Sequence, residues 1–136
     1  MLITGVLQRW RLEREAGDLT FEDLARRLED SRKSVEARLR AAIDSPRNRK
    51  QIAHIVGIER WGQQRLRSQL GEPLVMDGYE GYRPDRDGSF GDLCAEFTRS
   101  RADTLALLRR LDQSGYPPIR TVPHNEAGSI TLRAWF

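Results

Sequence analysis

Two histidines, His54 and His124, are the side chains of this sequence best suited to metal or acid–base chemistry. His54 stands inside RKQIAHIVGIERWGQQRLRSQL (49–70), flanked by Ile52, Ile55, Val56 and Ile58. An imidazole in such a run is either a satisfied polar group of the core or one ligand of a site built between facing helices, and the residues alone leave both open. Catalytic zinc sites take three protein ligands and a water. The nearest further donors are Glu59 and, beside His124, Glu126. Glu59 follows His54 by about 500° of helical rotation, which removes it from that face. No HExxH or HxxxH pair occurs, and neither does a GxSxG elbow or a glycine-rich phosphate loop. Cys94 is the sole cysteine, which excludes an internal disulfide and a Cys-based zinc cluster. It falls on the apolar side of a helical pattern, as a packed thiol would.

Positioning these residues falls to helices. A short amphipathic helix is predicted over 2–15 through Leu2, Val6, Leu7 and Trp10, broken by Ala16-Gly17-Asp18. A stronger one spans about 20–43, where Thr20 and Asp23 have the capping-box spacing and Phe21, Leu24, Leu28, Val35, Leu39 and Ala42 share a face. Ser45 and Pro46 supply the cap and first position of the His54 helix, which runs to about Leu70 and stops at Gly71 and Pro73. His54, Ile58, Trp61 and Arg65 form one stripe along it. The next helix spans about 90–112, with Ser89 and Asp92 as start signals. After the extended piece IRTVPH, Gly128 and Thr131 lead into a further helix that begins with Leu132 and Trp135. No alternation persists long enough to predict a sheet, so three helices must bury one another's apolar faces in an antiparallel bundle.

The connection LGEPLVMDGYEGYRPDRDGS is long for a compact domain, and loops of that length are often functional. Tyr79 and Tyr82 either line a pocket there or pin the loop to the bundle, and the ordering entropy of a free loop favours pinning.

The 136 residues suit one domain and one core. With 38% hydrophobic and 32% charged residues the composition is that of a globular protein. Residues 1–70 carry 15 basic against 10 acidic side chains, and residues 71–136 carry 8 against 10. The signs are interleaved, which reads as a solvated mixed surface more than as a nucleic-acid footprint. Residues 24–39 are similar to a helix-turn-helix, but Glu29 and Asp30 occupy its turn and the apolar stripe runs through them, so one helix is predicted and a DNA-binding module is the rival. The apolar N-terminal run is too short for a signal peptide or a membrane span, and with a single cysteine the expected setting is cytoplasmic.

The segment IAHIVGIERWGQQRLR, the GEP and tyrosine loop after it, and VPHNEAGSITLRAWF resemble the DinB-like family of bacterial helical-bundle proteins, which includes metal-dependent thiol transferases. The likeness covers about residues 20–136, is strongest over 49–84 and 122–135, and leaves 1–18 as an N-terminal extension to a domain at 19–136. It implies an all-α fold, an up-down-down-up four-helix bundle whose long loop is a crossover and whose fourth helix is truncated. It also implies a divalent metal, zinc or nickel, held by three histidines. His54 matches the one on the second helix; the other two form an HxxxH pair on the last helix that this sequence does not contain, and His124 matches no ligand position. The expectation is therefore an incomplete metal site with His54 as its single family-matched ligand, no complete catalytic centre, and Trp61, Tyr79, Tyr82 and His124 as pocket or loop residues. Uncovered bundle faces would promote a homodimer. The rival within the family is a transferase acting on a low-molecular-weight thiol or its adduct, its missing ligands coming from another subunit or from Glu126.

Overall fold

The computed structural model describes residues 2–136, and side chains from Thr4 onward, so Leu2 of the predicted first stripe lies outside the described side chains. Helices α1 (Leu2–Ala16), α2 (Phe21–Ala41), α3 (Pro46–Arg67) and α4 (Phe90–Gln113) are followed by a hairpin of β1 (Thr121–His124) and β2 (Gly128–Thr131), and by one turn of helix, α5 (Leu132–Trp135). The fold is mostly helical, as expected.

The local signals act as read. The Thr20 hydroxyl accepts from the Asp23 amide while the Asp23 carboxylate accepts from the Thr20 amide, closing the capping box on α2. Ser45 accepts from the Asn48 amide with Pro46 as the first residue of α3, and Ser89 accepts from the Asp92 amide at the start of α4. Residues 24–39 lie in one uninterrupted helix, so the turn that a helix-turn-helix requires is missing. The α-helical part of α3 ends at Arg67, and a 3-10 turn over Ser68–Leu70 completes it.

The predicted lack of a sheet is corrected by the hairpin, in which Val122 faces Ile130 in antiparallel register. Each strand is only four residues long, too short for alternation to register in the sequence. The pair is held instead by tertiary contacts: Val122 and Ile130 are buried, and the Trp135 indole donates to the Val122 carbonyl. Gly128, expected at the entrance to the last helix, begins β2 with φ of 73°, a left-handed backbone that suits glycine. α1 packs on β2 and α5, and the Glu13 carboxylate accepts from both the amide and the hydroxyl of Thr131.

Helix α4 packs against both α3 and α2, while α2 and α3 meet each other sparingly. Polar contacts give the directions. Arg60 bonds Glu96 and Gln63 bonds Ser100 and Thr104, so α3 and α4 run parallel; Leu28 meets Arg101 and Glu36 meets Thr98, so α2 runs against them. The three long helices are therefore up, down and down. Two apolar clusters fill the seams, one around Leu66, Leu108 and Leu111 and the other around Ile52, Val56, Leu93 and Phe97. Parallel neighbours explain the long connection: the chain must travel back along the whole of α3, about 33 Å, before α4 can begin.

Candidate functional site

The crossover loop is laid down on one stripe of α3. Arg65 donates to the Val75 and Asp77 carbonyls, Trp61 Nε1 donates to the Asp77 carbonyl, and Arg49 donates to the Arg86 and Gly88 carbonyls. Between them the His54 ring meets Tyr79 edge to face, with centroids 5.3 Å apart. Gly57 sits on the same stripe because Arg83 passes directly over it; a Cβ there would lie 2.8 Å from Arg83 Cγ and 3.4 Å from Arg83 Cα. Of the predicted stripe of His54, Ile58, Trp61 and Arg65, three members thus receive a loop, not a helix, while Ile58 stays exposed toward the second hollow. Tyr82 donates to the Asp77 carboxylate, and its phenol is pushed up in pKa by burial first and by that bond second. Both tyrosines secure the loop.

The buried end of the stripe is organised by Arg65, which has no exposed surface. Besides the loop carbonyls it donates to the Pro123 carbonyl and the Asn125 side chain, joining the crossover to the hairpin. Its guanidinium lies 5.0 Å from the centre of the Trp61 ring and 6.0 Å from that of Trp135. Burial pulls its pKa down. His124 joins the same aromatic group, with its ring 5.5 Å from Trp61 and 5.2 Å from Trp135. Its Nδ1 accepts from the amides of Glu126 and Ala127 and so ties the hairpin turn. That bonding needs the neutral ring, and burial lowers the His124 pKa. A histidine depressed in the folded state binds more protons when unfolded, so its contribution is complete above the ordinary histidine value of about 6.5 and is lost as pH falls below it toward the depressed one. Melting temperature is expected to fall between pH 7 and pH 5.5, and His124→Gln to flatten that slope; an unchanged slope in the variant would refute the assignment.

His54 is exposed, which removes the first of the two readings, a satisfied polar group of the core. Its apolar neighbours divide: Ile52 and Val56 enter the core, while Ile55 and Ile58 remain 39% and 40% exposed. His54 and His124 belong to different surroundings, the first beside Tyr79 and the second between Trp61 and Trp135. Among the described residues no group of three or more His, Cys, Asp or Glu side chains gathers to hold a metal. Cys94 is half-buried and burial raises its pKa, which disfavours the thiolate.

What α3 does present is a groove. Facing α2 across it, α3 bounds an open hollow of about 990 Å³. Val35, Leu39, Ile52 and Ile55 make its apolar floor, and Arg38, Arg47, Lys50, Arg83 and Arg86 ring it together with His54. Among the described residues no carboxylate lines it. Among the described residues none of the five cations forms an ion pair, whereas neighbouring Arg49 is held by Asp44. A second hollow of about 420 Å³ continues past Ile55 along the same seam to Leu66, Trp135 and Phe136. Apolar floor and unpaired cationic rim together suit a ligand with an apolar body and anionic groups, and the first volume is that of a small-molecule site or larger.

The cations escaped sequence reasoning. Arg47, Lys50 and His54 recur at three- and four-residue spacing, which was the available signal, but only the fold brings Arg38 from α2 and Arg83 and Arg86 from the loop to the same rim. No helix among the described residues is long and apolar enough to cross a membrane. Comparison with protein-family models, with curated proteins and with solved structures finds no match to this chain.

Proposed function

We propose that this chain is a helical binding protein that holds an anionic, partly apolar ligand in the groove between α2 and α3. The observation that carries the reading is the ring of five unpaired cations around an apolar floor with no carboxylate in its lining. A cation without a carboxylate partner is free to pair with a ligand's anionic group, though Arg83 already stacks over Tyr79, and the apolar floor makes the ligand's body worth burying. The loop is clamped to α3 independently of any ligand, so one wall of the groove is preorganised.

The up-down-down course of the long helices supports kinship with the DinB-like plan, with the groove as its unfilled fourth corner. Metal transfer chemistry at His54 would need donors from beyond the described residues, and the groove requires none. A homodimer seated here is disfavoured, because a second copy brings a net charge of +3 to a cationic rim.

The test uses two dyes. The anionic anilinonaphthalene sulfonate is expected to bind saturably and more tightly than neutral Nile red, with Arg47→Gln/Arg86→Gln weakening only the former, by about tenfold. Equal binding of both dyes, or a sulfonate affinity untouched by the double variant, would overturn the proposal.

A further inference from the structure

The two hollows share Ile55 and lie end to end along α3, from Arg47 to Leu66. That run of α3 is about 28 Å long, the length of a helix of about 19 residues. The opposite wall follows α2 from Ala42 past Leu39 and Val35 to Leu28, and beyond it Leu12 of α1, Ile130 of β2 and Trp135 and Phe136 at the end of the chain line the second hollow. Ile55 and Ile58 stand exposed at the middle of the seam, where a helix laid along it would meet them. A compact small molecule fills one hollow; only an elongated body covers both.

Charge restricts that body further. At one end stand the five unpaired cations. At the other, Glu59 lines the seam but is already bonded to Arg101 and Thr104, so it offers no free charge. From this juxtaposition we infer that the full groove is a docking site for an amphipathic helix of a partner protein, with an apolar stripe along its length and carboxylates clustered at the end that meets Arg47, Lys50 and Arg86. The inference rests on the proposed anion-binding reading of the first hollow and extends it to the second. Helix-in-groove recognition places apolar residues at three- and four-residue spacing into such a seam. The chain's own helix α1, with exposed Val6, Leu7 and Trp10, is already held on β2 and α5 through Glu13 and Thr131, so it is not the occupant.

The experiment titrates the full chain against fluorescent synthetic helices of 19 residues sharing one leucine stripe, with four glutamates or four lysines at one end. The glutamate helix is expected to bind at least tenfold more tightly than the lysine helix, and Arg47→Glu/Arg86→Glu to reverse that order. Ile58→Asp, a change at an exposed position of the second hollow, should weaken the glutamate helix about tenfold and leave anilinonaphthalene sulfonate affinity unchanged. Sulfonate binding with no helix preference would sink the inference and spare the anion reading; loss of both would sink both. Concentration-dependent self-association abolished by Ile58→Asp would assign the groove to a second copy and overturn the inference. So would binding of anionic phospholipid vesicles in place of the glutamate helix.

Discussion

Arg65→Ala is expected to destabilise the fold by about 3–5 kcal/mol, because it strands several buried acceptors at about 1–3 kcal/mol each and leaves a cavity. The side chain is fully buried and donates to three backbone carbonyls, of Val75, Asp77 and Pro123, and to Asn125. Alanine would leave the crossover and the hairpin without their common donor and open a void beneath Trp61 and Trp135. Arg65→Lys should recover less than half, because a single ammonium cannot span acceptors arranged around a planar fork. Urea unfolding followed by circular dichroism gives the total, and hydrogen exchange at Val122 and Ile130 shows whether the hairpin loosens first. A loss below about 1 kcal/mol would mean that the node is peripheral to stability.

The second large effect is expected at Arg101, which makes the contact common to the three long helices. From α4 it donates twice to the Glu59 carboxylate of α3, at 2.8 and 3.2 Å, and once to the Leu28 carbonyl of α2 at 2.8 Å. Arg101→Met should cost about 3 kcal/mol, at the low end for breaking a buried pair because Thr104 still donates to Glu59. The diagnostic is the double variant. Adding Glu59→Gln removes the stranded charge and should restore about half of the loss, a coupling that equilibrium unfolding of the four proteins measures directly. Strict additivity would show that Glu59 and Arg101 act independently.

How much of this was legible in the sequence depended on the range of the interaction. Thr20, Ser45 and Ser89 announced helix starts because a cap is satisfied within three residues of itself. The hairpin was not announced, because its strands are held by Trp135, Glu13 and the apolar cluster, all remote or off-strand in kind. The stripe of His54, Trp61 and Arg65 was visible as a period, but a period says only that a face is used, and the parallel course of α3 and α4 made its occupant a loop. Exposure of His54 follows from the same geometry: the isoleucines around it form one apolar run in sequence, whereas Ile52 and Val56 point to α4 while Ile55 and Ile58 point to the groove. The cationic rim was least legible, since its members come from α2, α3 and the crossover and lie among acids in sequence.

The anionic ligand is expected in the α2–α3 groove, and an amide NMR titration of the isotope-labelled chain with anilinonaphthalene sulfonate reads its location residue by residue. The exposed apolar rivals are well separated in sequence: Val6, Leu7 and Trp10 on α1, and Leu74, Val75 and Met76 in the crossover. Shifts are expected to concentrate at Val35, Leu39, Ile52 and Ile55 and on the amides of Arg38, Arg47 and Lys50, saturating together. Shifts centred on either rival patch, with the α2–α3 seam silent, would contradict it.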